Sequence, residues 1–318
     1  MTTYIARRLI YAAIVLLLIT LLTFLAMRLL PGDPIYMLMT PGEFAQASME
    51  QIEALRHEFG LDKPIMWQYL NWLGGIFRGD FGISIIQRLE VLDIVAKGFP
   101  VSLNLSLPAF IISLLIGMPA GVISAIRRGK WIDNGVTIIA NVGITVPIFW
   151  LGIMLIYLFS LKFDFLPVQG YTSPFVDLGQ SIRQVIMPIF CLSIFPIAAV
   201  ARQTRSSMLE VMHQDYIRTA WSKGLKEFSV VSKHALKNGL IPVITLSGMS
   251  LSGIIGGAVL VEIVFNIQGV GRMLVSAVLS HDYPVVQGFS LFIAIMILLI
   301  NLIVDISYGW LDPRIRYD

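Results

Sequence analysis

The chain has 318 residues, of which 56% are hydrophobic and 14% charged, with a formal net charge of +3. An ordinary soluble domain carries roughly 25% charged residues, and a chain this poor in charge cannot cover a soluble core of its size. A single cysteine, Cys191, excludes a disulfide scaffold, so the remaining class is a polytopic, all-α membrane protein. The small positive charge reads through topology rather than through nucleic acid.

Stretches free of Asp, Glu, Lys and Arg predict six transmembrane helices: Leu9–Met27, Gly98–Ile126, Asn134–Leu161, Gln184–Ala201, Asn238–Val261 and Tyr283–Val304. A helix needs about 20 apolar residues to cross the bilayer core. The first run is longer than the apolar region of a signal peptide, and no A-x-A-like site follows it. It leads into Arg28 and the turn Pro31-Gly32-Asp33-Pro34, so we read it as a retained helix.

The segment from Pro31 to Lys97 is long for a loop and carries helical signals. Ser48 and Gln51 make a capping box. Ile52, Leu55 and Phe59 follow at helical spacing, Gly60 suits a helix end, and Pro64 suits a first helical position. Met66, Trp67, Tyr69, Leu70, Trp72, Leu73, Ile76 and Phe77 then form an aromatic-rich stretch suited to a membrane interface. The segment is either a cap resting on the outer leaflet or a platform for an external partner.

Orientation follows from lysine and arginine. With the N-terminus inside, the inner segments hold Arg7, Arg8, Arg127, Arg128, Lys130, Arg202, Arg205, Arg218, Lys223, Lys226, Lys233, Lys237, Arg314 and Arg316. The two short outer loops hold Lys162, Arg183 and Arg272. Both termini are therefore expected to be cytoplasmic. The organisation is 1–30 (N-terminus and first helix), 31–97 (an extracytoplasmic helical segment between helices 1 and 2) and 98–318 (a five-helix core with the cytoplasmic loop 202–237).

Within that loop, Met208, Leu209, Val211, Met212, Tyr216, Ile217, Ala220 and Trp221 predict an amphipathic helix, and Gly224 is a natural stop. From the residues alone, such a helix lies on the lipid surface or docks into a partner's groove. Gly117-x-x-x-Gly121 and Gly253-x-x-x-Gly257 each put two glycines on one helix face. The first pair reads as packing within the chain. The second is open between packing, a subunit interface and a translocation path aided by Ser247, Ser250 and Ser252.

No G-x-x-x-x-G-K-[ST] loop and no G-x-S-x-G elbow are present. His57, His213, His234 and His281 are scattered and form no ligand set with Cys191. No catalytic residue, metal ligand or pathway-lining residue is assigned. The spans hold no acid or base, and Glu262, Asp282 and Asp305 lie at their borders. This weakens, without removing, the rival reading of an ion-coupled secondary transporter acting alone. A membrane scaffold is a second rival.

The inner segment reads Asp215-Tyr216-Ile217-Arg218-Thr219-Ala220-Trp221-Ser222-Lys223-Gly224-Leu225, then His234-Ala235-Leu236-Lys237-Asn238-Gly239-Leu240-Ile241-Pro242. It resembles the "EAA" loop of ABC importer permeases in its dipeptide/oligopeptide-type form. Arg7-Arg8-Leu9, Leu61-Asp62-Lys63-Pro64, Gly79-Asp80-Phe81-Gly82, Arg205-Ser206-Ser207-Met208, Gly269-Val270-Gly271-Arg272, Asp282-Tyr283-Pro284 and Asp312-Pro313-Arg314 extend the resemblance along nearly the whole chain. Arg218 stands where the general motif has Glu, and the spacing from Gly224 to Ile241-Pro242 is longer than in the general pattern.

The resemblance implies a type I ABC importer permease in a bacterial cytoplasmic (inner) membrane, itself not an enzyme and binding no cofactor. It implies a second related permease subunit, two ATPase subunits carrying ATP and Mg, an extracytoplasmic substrate-binding protein and the surrounding lipid as partners. It also implies an ATPase-coupling loop of Asp215, Tyr216, Ile217, Arg218, Thr219, Ala220, Lys223 and Gly224. Di- or oligopeptides are the expected cargo, with nickel complexes, glutathione or oligosaccharides as the alternatives of the same subfamily.

Overall fold

The charge-free stretches become helix almost throughout, because backbone groups in an apolar medium must be satisfied within their own segment. The computed structural model describes residues 2–29, 35 and 48–311. The turn Pro31–Pro34 and the tail from Asp312 lie outside them. In chain order the helices are α1 (Thr2–Leu29), α2 (Met49–Glu58), α3 (Ile65–Ile76), α4 (Val91–Ile126), α5 (Trp131–Thr145), α6 (Ile148–Leu155), α7 (Leu178–Met212), α8 (Asp215–Ser222), α9 (Ile241–Val264), α10 (Val270–Leu279) and α11 (Tyr283–Leu311). Helical pieces Glu227–Ser229, Val230–Ala235 and Leu236–Gly239 connect α8 to α9.

Among the described residues, five helical stretches are long and apolar enough to cross a membrane: Arg7–Leu29, Val91–Ile126, Leu178–Met212, Ile241–Val264 and Tyr283–Val304. The predicted span Asn134–Leu161 is not one straight helix. Trp131–Thr145 and Ile148–Lys162 meet at a bend of 100° and make a sixth crossing only as a broken span. Pro147 is the cause. It has no N–H to donate, and it drives Val146 out of the helical region, to φ −71 and ψ 123. The span predicted as Gln184–Ala201 lies inside the longer α7, which carries Arg183, Arg202, Arg205 and Glu210 as well. Helix α7 continues past Arg202 and ends at Met212, capped by His213.

The chain divides into two compact units. The first comprises residues 1–100 and 269–298. Its core joins Met27, Val91, Ile94, Val95, Val270, Tyr283, Val286 and Phe289. The capping box forms as expected: Ser48 Oγ accepts from Gln51 N–H, and the Gln51 side chain accepts from Ser48 N–H. Pro64 sits one residue before the position expected for it, as the cap of α3. Tyr69 and Trp72 turn inward onto Phe24, with ring centroids 5.3 and 6.1 Å away, while Trp67 stays exposed. Asp282 is buried and accepts from Ser84 Oγ and from the N–H groups of Ile85 and Ile86, which fastens the loop before α4 to the start of α11. In this unit His57 Nδ1 lies 2.7 Å from Asp62 Oδ2, and that hydrogen bond holds the Asp62 carboxyl below its ordinary value.

The second unit comprises residues 101–268 and 299–318. One cluster joins Leu105, Met187, Cys191, Leu192, Ile254, Ala258, Val261 and Phe265. Gly117 and Gly121 bring α4 against α7. A Cβ at Gly117 would lie 2.9 Å from Ile197 O and from Val200 Cβ, and one at Gly121 would strike Ala201 O. Such contacts exist only because glycine has no side chain. Glu262, near the C-terminal end of α9, is fully buried, and Ser102 Oγ donates to it.

Candidate functional site

Helix α8 forms because Gln214 supplies an extended cap (φ −73, ψ 149) and Asp215 places a negative charge in the first turn. It stops because Gly224 takes φ +75, the left-handed conformation open to glycine. Lys223 N–H reaches Thr219 O at 3.2 Å and Gly224 N–H reaches Trp221 O at 2.9 Å, closing the last carbonyls.

The two faces of α8 differ sharply. Ile217 is 0% exposed and Ala220 5% exposed. They pack with Ala125, Met208, Val230, Val231 and Ala235. Burying an isoleucine contributes on the order of 1.5–3 kcal/mol, enough to hold a short helix in place. Ala220 is thus seated in the chain's own core, so its small size serves internal packing. Asp215, Tyr216, Arg218, Thr219, Lys223 and Gly224 are exposed, as is Trp221. Tyr216 keeps one internal tie, its hydroxyl accepting from Asn238 Nδ2 at 2.9 Å. Arg218 lies 3.6 Å from Asp215 on the open surface, a pair worth little in water.

The same unit holds an ionic clamp that sequence reasoning missed. Asp133, only 3% exposed, receives Arg205 Nε at 2.6 Å and Nη2 at 2.9 Å. Ser124 Oγ and Gly129 N–H also donate to this carboxylate. The bidentate pair joins the start of α5 and the Gly129 turn to α7. Arg205 shares α7 with Met208, and Ser124 shares α4 with Ala125, so the clamp fixes the elements on which α8 rests. The available signal was a lone carboxylate, Asp133, four residues after a glycine turn.

The structure does not treat the glycine pairs alike. Gly117 and Gly121 are in close contact with α7, whereas an added Cβ at Gly253 or Gly257 meets nothing within 4 Å among the described residues. Ser247 and Ser250 spend their hydroxyls on Val243 O and Leu246 O within α9, and Ser252 Oγ reaches Asn301 Oδ1 at 3.4 Å.

Long apolar helices, a broken span and a short amphipathic helix with one open face define an α-helical membrane protein. The comparisons give the family. Residues 117–317 match the family described as binding-protein-dependent transport system inner membrane component, and residues 1–106 match the N-terminal membrane component of such systems. The chain belongs to this family and is the membrane subunit of an ABC importer.

A protein of Brucella abortus named as a peptide transport system permease is 45% identical over 320 residues, all of both chains. The di/tripeptide transport system permease DppB of Pseudomonas aeruginosa is 40% identical, covering 100% of this chain and 99% of that protein. The dipeptide transport system permease DppB of Escherichia coli is 40% identical over 94% of each. Among solved structures, a chain of the inward-facing MetNI methionine ABC transporter matches with a TM-score of 0.55 at 18% identity. It covers 70% of this chain and 97% of that one, which establishes the shared fold. Family membership removes the secondary transporter and the scaffold as readings.

Proposed function

We propose that this chain forms half of the translocation pathway of an ATP-driven importer of di- or oligopeptides. The observation that carries the cargo is the full-length similarity, at 40–45% identity, to proteins named as peptide or dipeptide permeases. A substrate-binding protein delivers the peptide from outside, and a second related permease completes the pathway. The chain is non-catalytic, with hydrolysis and Mg·ATP on two partner ATPases. It lies in the inner membrane with both termini in the cytoplasm, as the distribution of basic residues favours.

The ATPases are engaged through α8 and its stop, Asp215–Gly224. The exposed side chains of Tyr216, Arg218, Thr219 and Trp221 would seat in a groove, while Ile217 and Ala220 tie the helix to the bundle. A helix anchored on one face and docked on the other passes a groove's movement on as a rigid body.

The test is reconstitution of the four kinds of subunit with ATP-driven dipeptide uptake as the readout. Arg218→Ala should leave the isolated chain as stable as wild type, since the position is exposed, and Gly224→Asp should cost it about 1 kcal/mol, since φ +75 favours glycine. Both should lower ATPase co-purification and uptake several-fold. Wild-type values for both variants would make α8 a lipid-surface helix. Topology has its own check. Cysteine labels at Ser48 and Thr172 should react in intact cells, and a label at Ser222 only after permeabilisation.

A further inference from the structure

A cavity of about 510 Å³ opens in the first unit, among the end of α1, helix α3 and the start of α11. Its walls include Phe24, Arg28, Trp72, Asp80, Tyr283 and Gln287. Three of these carry buried donors with no hydrogen-bond partner among the described residues: Arg28 Nη1, Trp72 Nε1 and Gln287 Nε2. Buried donors are nearly always satisfied in folded proteins. Three left open around one cavity call for an acceptor brought from outside. Gln287 is the strongest of them, because it is only 3% exposed and has no access to bulk water.

Arg28 is held ready for such an acceptor. Its Nε and Nη2 both donate to Gln68 Oε1, at 3.0 and 2.8 Å. Its guanidinium lies 4.5 Å from the ring centroids of both Phe24 and Tyr283. Sandwiched in this way, it keeps Nη1 as its one uncommitted nitrogen at little further cost in side-chain freedom. The charges of the wall limit what fits. Arg88 and Glu58 pair at 3.3 Å. That leaves Arg28 and Lys63 against Asp80, whose Oδ1 accepts from Gly82 N–H at 2.8 Å. A single surplus positive charge matches one carboxylate better than a phosphate dianion, and Asp80 offers a counter-charge for an ammonium. Phe24, Trp72 and Tyr283 supply apolar wall for the carbon atoms between. The volume is within the range of small-molecule sites, about 300–1,000 Å³.

We propose that this cavity is a binding site for a small zwitterion of the amino-acid or short-peptide class, its carboxylate held by Arg28, Trp72 and Gln287. The site belongs to this chain alone, so its test is separate from ATP-driven uptake by the assembly. Failure here leaves the importer reading untouched, and the reverse also holds.

The test is equilibrium binding of labelled dialanine to the purified full chain in phosphatidylcholine nanodiscs. Saturable binding is expected, with dialanine amide at least about tenfold weaker because the charged acceptor is gone. Inorganic phosphate should compete poorly. Gln287→Leu should weaken binding by roughly tenfold, yet leave the ligand-free melting temperature unchanged or raised, since the substitution removes an unsatisfied buried donor. Arg28→Gln, which removes the charge, should abolish binding. Overturning results are no saturable binding, equal binding of the amide, phosphate competing as well as dialanine, or wild-type affinity in Gln287→Leu. Binding in detergent that disappears in nanodiscs would assign the donors to a lipid phosphodiester and overturn the proposal too.

Discussion

The two glycine pairs have the same spacing in sequence and opposite surroundings in space. Gly117 and Gly121 lie against the backbone of α7, near Ile197 O and Ala201 O, while Gly253 and Gly257 face open space. Spacing of small residues says that a close approach is possible. It does not say what approaches. In α9 the buried residues Ile254, Ala258 and Val261 occupy one face, and Met249, Gly253 and Leu260 stand exposed on another. The first pair therefore builds the chain, and the second leaves a flat strip for something outside it.

The largest effect should come from filling the packed pair. A Cβ at Gly121 would strike Ala201 O and lie 2.6 Å from Thr204 Cβ and 3.0 Å from Arg205 N. Two of these three atoms are backbone, so no rotamer change relieves the clash and α4 must part from α7. Overpacking costs about 1–3 kcal/mol and occasionally more. Gly121→Val should sit at the top of that range or above it, read as a lost folded fraction in thermal unfolding of the purified chain. A melting temperature within a degree or two of wild type would mean that α4 and α7 do not approach so closely.

Next comes the clamp beside that contact. Asp133→Ala removes the acceptor from Arg205, Ser124 and the Gly129 N–H together. Breaking a fully buried pair costs about 3–5 kcal/mol. The Arg205 side chain is 32% exposed and can turn to water, so about 2 kcal/mol is the expected loss. Arg205→Ala alone should cost a similar amount, and the double variant should cost less than the two singles added together. Additive losses in a double-mutant cycle would show the pair to be uncoupled.

These two sites also mark how far the sequence could be read. The number and order of apolar helices followed from charge-free runs, because the bilayer imposes a length and a composition on each. The stop of α8 at Gly224 was legible because only its φ of +75 was at issue, a local matter. The bend at Pro147 was not drawn from sequence, since a proline in a span can be absorbed by neighbouring groups, and only packing decides whether it is. The Asp133–Arg205 pair bridges residues 72 apart in sequence, and no local pattern encodes which charges meet. Ala220 illustrates the same limit within the candidate site. Its place on a small, amphipathic helix was readable, but not which of its two faces met the chain's own core.

The smallest effect on the isolated chain should come from the open pair, and it is the one that sharpens the contrast. Gly257→Leu adds a side chain where nothing lies within 4 Å among the described residues. It also replaces glycine inside a helix, which should offset some backbone entropy by roughly 0.5–1 kcal/mol in favour of the folded state. The melting temperature of the purified chain should thus be unchanged or slightly raised, in direct contrast to Gly121→Val. In the reconstituted importer the strip is expected to meet the second permease, as the proposed assembly requires a surface of this chain for it. There the added leucine should hold the two subunits apart and lower uptake and co-purification of the second permease, with chain stability intact. Lipid chains would part around a leucine without cost. Full uptake in Gly257→Leu, together with wild-type co-purification, would therefore place the strip against lipid and move the subunit contact to another face.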